Sequence, residues 1–145
     1  MNELEKVLER LKKVSSEINS SIKLAQYDKY DDLSGLDINY DDAEQEFLRE
    51  ELQSIFSRLE VISQDIEYLA KPIRYEGNLY KNSIGKYELN KDFQFSCGSS
   101  IEAYIYDEYD EKYKWVASRI EHNGKDYYLY GAKNISLDGL KARKR

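Results

Sequence analysis

The chain is 145 residues long, with 41% hydrophobic and 34% charged residues and a formal net charge of −6. This length and apolar share predict either one folded domain or two small modules, and they exclude an intrinsically disordered chain. A single cysteine excludes an internal disulfide, and no apolar run has the length of a membrane helix or the features of a signal peptide. We therefore expect a cytoplasmic protein.

The charge is divided unevenly along the chain. Residues 1–72 hold 9 Lys and Arg against 17 Asp and Glu, a balance of −8, whereas residues 73–145 hold 13 against 11, a balance of +2. An acidic half repels nucleic acid unless it imitates it. The chain also has 14 tyrosines, and tyrosine is favoured in interfaces because it is large, rigid and amphipathic.

Two stretches of residues 1–72 have helical periodicity. Apolar residues three and four apart predict an amphipathic helix over residues 3–26. A second helix is predicted to begin near Asp41, which forms a capping-box pattern with Glu44, and to stop at Pro72. The apolar positions of this second helix alternate steps of four and three without a break: Leu48, Leu52, Ile55, Leu59, Ile62, Ile66 and Leu69.

That unbroken alternation is typical of a coiled-coil seam. It predicts that residues 1–72 form an antiparallel helical hairpin. A second copy of the chain could extend the hairpin to a four-helix bundle, so a homodimer stays open at this point.

Between the two predicted helices lies an acidic, tyrosine-rich segment, YDKYDDLSGLDINYDD, which we call the acidic connector (residues 27–42). A calcium-binding EF-hand needs oxygen ligands at its first, third and fifth positions, glycine at the sixth and glutamate at the twelfth. No register starting from Asp28, Asp31 or Asp32 satisfies this rule with Gly35. The segment is therefore interpreted as a solvated linker.

After Pro72 the periodicity changes to two, which is typical of strands. Strands are predicted at about 73–81, 86–90, 100–106, 113–122 and 125–131, and a short helical turn at 136–140 precedes a closing strand. Asn123-Gly124 is predicted to make a tight hairpin turn. Five or six short antiparallel strands favour a small SH3-like β-barrel over residues 73–145. The predicted fold class is thus α+β, a helical hairpin followed by a small barrel.

Four segments of the second half resemble a known family: GNLYKNSIGKYEL, SIEAYI, WVASRIEHNGKDYYLYG and LDGLKARKR. They are similar to small bacterial domains of unknown function that are carried by plasmids, phages and integrative elements of Gram-positive bacteria. The resemblance covers about residues 73–145 and implies no catalytic residues. It implies a mobile-element setting, in which small acidic proteins often interfere with host defence.

Residues that could perform catalysis are few. His122 is the one histidine, and it stands beside the predicted Asn-Gly turn, which accounts for it without chemistry. Cys97 and its neighbouring serines lack the strand–nucleophile–helix arrangement of a nucleophilic site. No phosphate-binding glycine motif and no metal-ligand spacing occur. We therefore expect a non-catalytic protein without a metal or a cofactor.

A second acidic run, YDEYDEKY, follows the strand at 100–106, and we call its residues 107–111 the acidic turn. Charge runs are usually solvated surface. The functional alternative is that both acidic segments contact a basic, nucleic-acid-binding surface of a partner protein, their carboxylates replacing phosphates. An inhibitor of a host defence nuclease, of the anti-CRISPR kind, is the favoured hypothesis. The predicted partner-binding residues are Asp28, Tyr30, Asp31, Asp32, Asp37, Asp41, Asp42, Asp107, Glu108, Tyr109, Asp110 and Glu111.

The alternative hypothesis is a nucleic-acid-binding barrel. Its cations would be those of the C-terminal strand, Lys141, Arg143, Lys144 and Arg145. Tyrosines would stack on bases, as in small barrels that bind single strands. The candidates are Tyr104, Tyr106, Tyr127, Tyr128 and Tyr130, of which Tyr127 and Tyr128 must point to opposite faces.

Overall fold

The computed structural model describes all residues from Met1 to Arg145 and has a mixed α+β fold. The chain divides into two compact units, residues 1–71 and 72–145. The first unit is helical and the second is an antiparallel β structure. No helix is both long enough and apolar enough to cross a membrane.

The helical unit has two long helices and one short turn of helix. Helix α1 spans Glu3–Leu24, α2 spans Tyr27–Tyr30 and α3 spans Ala43–Ala70. The predicted capping residue of α3 is off by one position, because Asp42 and not Asp41 accepts the N–H groups of Glu44 and Gln45. The predicted stop is confirmed: Lys71 is extended, as the residue before a proline must be.

Helices α1 and α3 contact each other through a small apolar and polar interface. Tyr27, the first residue of α2, stacks on Phe56 of α3 with ring centroids 5.7 Å apart. Further back along α1, the Ser15 hydroxyl lies 2.8 Å from that of Ser63, and both serines are buried. A stacked aromatic pair and a buried hydroxyl pair therefore connect α2 and α1 to α3.

The β unit contains eight strands in two sheets. Their bounds are β1 Tyr75–Asn78, β2 Tyr80–Lys81, β3 Tyr87–Leu89, β4 Phe93–Gln94, β5 Ser100–Asp107, β6 Lys112–His122, β7 Tyr127–Leu129 and β8 Lys141–Lys144. One sheet has five strands in the order β1-β8-β5-β6-β7, and the other has three in the order β2-β3-β4. All pairings are antiparallel.

The predicted SH3-like barrel is wrong, because the sheet does not close. A barrel requires every strand to have two hydrogen-bonded neighbours. Here β1 and β7 are the outer strands of the five-stranded sheet and do not pair with each other. The smaller sheet, whose strands β2 and β4 have two residues each, pairs with neither of these outer strands. Alternating short strands fit an open pair of sheets as well as a barrel.

Alternation along β5 separates a core face from an outer face. Ile101 and Ala103 are fully buried in a core that also contains Phe95, Ile120 and Leu129. The residues between them on β5 point to the opposite side of the sheet. This outer face carries the aromatic and charged side chains described below.

The hairpin between β6 and β7 is wider than predicted. His122 pairs with Tyr127, so the connection has four residues and not the two of an Asn-Gly turn. Asn123 organises it: its side-chain Oδ1 accepts the N–H groups of Lys125 and Asp126 at 2.9 and 3.0 Å. Asparagine side chains commonly accept hydrogen bonds from the backbone of their own turn in this way. The Asn-Gly pair in the sequence is compatible with both a two-residue and a four-residue connection.

The buried serine pair provides a stability test for the helical unit. Ser63→Ala leaves the Ser15 hydroxyl buried without its partner and also removes the bond from Ser63 to Asn19 Oδ1 (2.9 Å). We expect the free energy of unfolding to fall by about 1 kcal/mol. In Ser15→Ala/Ser63→Ala no hydroxyl is left unpaired, so the double variant should lose less than the sum of the single ones.

Urea unfolding followed by far-UV circular dichroism measures these differences. Ser57→Ala, at an exposed position of α3, is the matched control for the helix propensity of alanine. An equal effect of Ser57→Ala and Ser63→Ala would contradict the assignment of a stabilising role to the buried pair.

Candidate binding surfaces

The acidic connector folds against α3 through its apolar residues and leaves its carboxylates outside. Leu33 is 2% exposed and belongs to the core of the helical unit, and Ile38 packs against the same core. Tyr30 is 46% exposed. Gly35 lies so close to that ring that an added Cβ would come within 2.6 Å of it, which explains a glycine at this point.

Two of the predicted acidic residues in this segment have local structural roles. Asp42 caps α3, as described above. Asp32 accepts the backbone N–H of Ser34 at 2.8 Å, and hydrogen bonds from the Ser34 side chain and backbone lower the pKa of this carboxyl. These bonds account for Asp32 and Asp42 without a partner.

The remaining four predicted carboxylates of the connector are Asp28, Asp31, Asp37 and Asp41. All four are exposed, and none lies within ion-pair distance of a cation. Of the 17 acidic residues of the helical unit, Glu9 and Glu50 alone form ion pairs. The negative charge counted in the sequence is therefore unneutralised on the surface of this unit.

The acidic turn joins β5 to β6 and differs from the connector in being partly neutralised. Lys114 forms ion pairs with Asp107, at 3.2 Å, and with Asp110. The backbone N–H of Asp110 and the Lys114 ammonium group lower the pKa of Asp107. Glu108 and Glu111 are exposed and unpaired, and Tyr109 is 95% exposed.

The predicted acidic residues are divided between the two units. The connector lies in the helical unit, residues 1–71, and the acidic turn lies in the β unit, residues 72–145. Their carboxylates are far apart in sequence, and each group is positioned by its own unit.

The cations of the C-terminal strand are held by the sheet. Glu102 on β5 is 4% exposed, and its two carboxylate oxygens accept Arg143 Nε and Arg145 Nε at 2.6 Å each. Lys144, which alternation places on the other side of β8, donates to the carbonyl and the hydroxyl of Ser100. The four predicted cations therefore do not form one open patch.

A row of aromatic side chains lies on the same face of the sheet as the Glu102 carboxylate. The sequence predicted two of its members, Tyr104 and Tyr106, but not Tyr113 and Trp115. The row, which we call the aromatic face, consists of Tyr104, Tyr106, Tyr113 and Trp115. Tyr104 contacts the rings of Tyr113 and Trp115 at centroid distances of 5.4 and 5.0 Å, and Tyr106 contacts Tyr113 at 5.3 Å. The cross-strand pairs Tyr104–Trp115 and Tyr106–Tyr113 align them.

Cations from β8 lie over the aromatic face. The Arg143 guanidinium is 4.1 Å from the Trp115 ring centroid, and Lys141 Nζ is 4.9 Å from that of Tyr104. Tyr106 and Tyr113 remain 50% and 58% exposed. Knowledge of the register between β5 and β6 was needed to find this row, because Tyr113 and Trp115 come from a different strand than Tyr104 and Tyr106.

The other predicted tyrosines divide between the faces as alternation requires. Tyr127 packs against the core of the β unit, whereas Lys133 lies 5.0 Å over the Tyr128 ring. Tyr130 is 52% exposed, with the Arg119 guanidinium 3.6 Å from its ring centroid. The expectation that Tyr127 and Tyr128 point to opposite sides is confirmed.

His122 is part of the hairpin between β6 and β7. Its Nδ1 accepts the N–H of Gly124 at 3.1 Å, and its ring contacts Tyr127 edge-on at 4.6 Å. The exposed Cys97 thiol donates to Glu121 Oε2 at 3.4 Å. No three His, Cys, Asp or Glu side chains lie close enough together to hold a metal ion.

Because Glu102 pairs with two arginines, removal of its charge should strongly lower the stability of the protein. In Glu102→Gln, Arg143 and Arg145 stay partly buried, with side chains 18% and 16% exposed, and lose their counter-charge. We expect the free energy of unfolding to fall by about 3 kcal/mol. Glu108→Gln, at an exposed position of the same unit, should change it by less than about 0.5 kcal/mol.

Thermal and urea unfolding of the two variants test this expectation. A loss of stability in Glu102→Gln no larger than in Glu108→Gln would show that Glu102 does not hold β8 to β5.

Comparison with known proteins identifies the second unit alone. Residues 77–144 match the family described as Domain of unknown function (DUF5348). No curated protein and no solved structure matches the chain. The resemblance of the C-terminal part to a small domain family of unknown function is thereby confirmed, and the mobile-element setting stays a prediction.

Proposed function

We propose that this protein is a non-catalytic binding module whose helical unit, an antiparallel hairpin, contacts a basic surface of a partner protein. The observation that carries the proposal is the unneutralised charge of that unit, where 15 of 17 carboxylates have no ion pair. Leaving so many like charges close together opposes compact folding through mutual repulsion. A cationic partner would relieve this repulsion.

The finer proposal is that the partner reads nucleic acid and that the carboxylates compete with phosphates for it. A defence nuclease of the RNA-guided type is one such partner, since it holds its nucleic acid in a positively charged channel. The mobile-element setting implied by the resemblance favours an inhibitor of the anti-CRISPR kind. The connector supplies spaced carboxylates on a backbone that Leu33 and Ile38 fix to α3.

The test replaces the four unpaired connector carboxylates by amides of equal size. The variant carries Asp28→Asn, Asp31→Asn, Asp37→Asn and Asp41→Asn. We expect binding to a purified RNA-guided nuclease to weaken by about tenfold or more and to depend less on salt, because each exposed charge pair contributes about 0.2–1 kcal/mol. Duplex DNA should compete with the wild-type protein for the nuclease.

The matched control removes the same number of charges elsewhere on the helical unit. It carries Glu3→Gln, Glu17→Gln, Glu60→Gln and Asp65→Asn, none of which removes an ion-paired carboxylate. This control should bind like the wild type at physiological salt. Equal binding by the two variants, or an affinity that DNA leaves unchanged, would refute charge mimicry by the connector.

A second candidate function is single-stranded nucleic-acid binding by the β unit, and the aromatic face favours it. The half-exposed rings of Tyr106 and Tyr113 continue the row of Tyr104 and Trp115. Lys141 lies over the Tyr104 ring and Arg143 over the Trp115 ring. Exposed rings next to positive charge are the elements that single-strand-binding proteins use, stacking bases and attracting phosphates. The β unit also has a positive formal balance, with 13 Lys and Arg against 11 Asp and Glu.

Removal of one stacking ring tests this candidate. Tyr113→Ala should weaken binding of a labelled single-stranded DNA by about five- to a hundredfold, because base stacking contributes about 1–3 kcal/mol per base. Tyr109→Ala is the control, since Tyr109 is more exposed but lies in the acidic turn. No shift in fluorescence anisotropy with wild-type protein at low salt would eliminate this function.

A further inference from the structure

One face of α3 is apolar, exposed and not covered by α1. Leu48, Ile55 and Ile62 follow each other at intervals of seven residues and are 46%, 40% and 47% exposed. Phe47 and Val61, beside the ends of this stripe, are 55% and 54% exposed. Contiguous apolar surface of this kind marks an interaction site.

Helix α1 packs on a different side of α3. Ser63 of α3 bonds Ser15 of α1, and Phe56 and Leu59 pack against the cluster that contains Ile18 and Ile22 of α1. Ile66 is buried and lines a cleft with Ser15 and Asn19. The exposed stripe therefore belongs to the same heptad pattern but to a side that α1 leaves open. Only its Leu48 end lies beside the connector, in a cleft lined by Leu33, Leu36 and Ile38. A heptad stripe of this kind fits another helix with the same spacing.

The charged residues between the apolar positions of the stripe indicate which helix would bind to it. Arg58 lies between Ile55 and Ile62, and Glu51 lies between Leu48 and Ile55. Both are exposed, and neither forms an ion pair within the chain. The Arg58 Nε donates to the Ser54 carbonyl at 3.4 Å.

We propose that this stripe binds the α3 stripe of a second copy in the antiparallel direction, with the two-fold axis beside Ile55. Ile55 then contacts Ile55 of the second copy, and Leu48 contacts Ile62 of the second copy. Arg58 of each copy faces Glu51 of the other, which gives two complementary contacts. A two-fold interface is self-complementary in this sense.

Other arrangements fit the stripe less well. A parallel pair places Arg58 beside the Ser63 position of the second copy and leaves Glu51 without a cation. An axis beside Ile62 leaves Phe47 and Leu48 uncovered. The proposed register brings Glu44 near Asp65 of the second copy at the two ends of the overlap, where exposed like charges repel weakly because solvent screens them.

The test uses the property that a residue on a two-fold axis meets its own copy. In a Cys97→Ser background, Ile55→Cys should cross-link to a covalent dimer under mild oxidation or with a short bismaleimide. Glu60→Cys, on another side of α3, is the control and should stay monomeric on a non-reducing gel. Efficient cross-linking of Ile62→Cys instead of Ile55→Cys would place the axis elsewhere and overturn the proposed register.

Charge reversal tests the same interface without a thiol. Arg58→Glu should raise the dimer dissociation constant about tenfold or more, measured by sedimentation equilibrium, because both complementary contacts become repulsive. Glu51→Arg combined with Arg58→Glu should restore association, and circular dichroism checks that each variant is folded. A wild-type protein that stays monomeric at its highest soluble concentration would refute the dimer, whatever the outcome of the binding tests proposed above.

Discussion

The β unit depends on one buried carboxylate. Glu102 lies on the outer face of the central strand β5, yet it is 4% exposed because Arg143 of β8 and Arg145, the next residue after β8, cover it. A lone carboxylate in such a place would be strongly unfavourable, and two guanidinium partners with good hydrogen-bond geometry offset that cost. The pairing fixes β8 beside β5 and aims Arg143 at the Trp115 ring, 4.1 Å away. Glu102 therefore positions the arginine that lies over the aromatic face, whose rings are aligned by β5–β6 pairing.

Sequence periodicity predicted the parts of the fold that local rules determine. Pro72 ends α3, alternation places Ile101 and Ala103 in the core, and Tyr127 and Tyr128 lie on opposite sides. Periodicity does not show whether the sheet closes into a barrel, because closure depends on whether the outer strands β1 and β7 pair with each other. Strand alternation is identical in open and closed sheets. The same limit explains the four-residue turn after His122, because Asn-Gly fits turns of both lengths.

For the candidate sites, the sequence predicted charge but not its pairing. The two acidic segments have similar compositions, but their ion pairing differs. Lys114 pairs with Asp107 and Asp110. Asp28, Asp31 and Asp37 form no ion pair. Lys114 follows the acidic turn by three residues, and β5–β6 pairing brings it back over the carboxylates. Beside the connector, Arg49 lies over the Tyr40 ring and forms its ion pair with Glu50, not with a connector carboxylate. The distinction between the two segments is therefore a consequence of the hairpin, which composition does not reveal.

In the basic C-terminal strand, too, the fold neutralises charges that appear free in the sequence, and here the charges are positive. Four cations in five residues predict an electrostatic footprint for nucleic acid, but strand alternation divides them and Glu102 binds two. What remains near the surface is Lys141 over the Tyr104 ring, in a row that continues to the half-exposed rings of Tyr113 and Tyr106. Nucleic-acid binding here would depend on stacking more than on charge, and would weaken less with salt than a four-cation patch implies. The aromatic face is thus the part of this unit on which such binding depends.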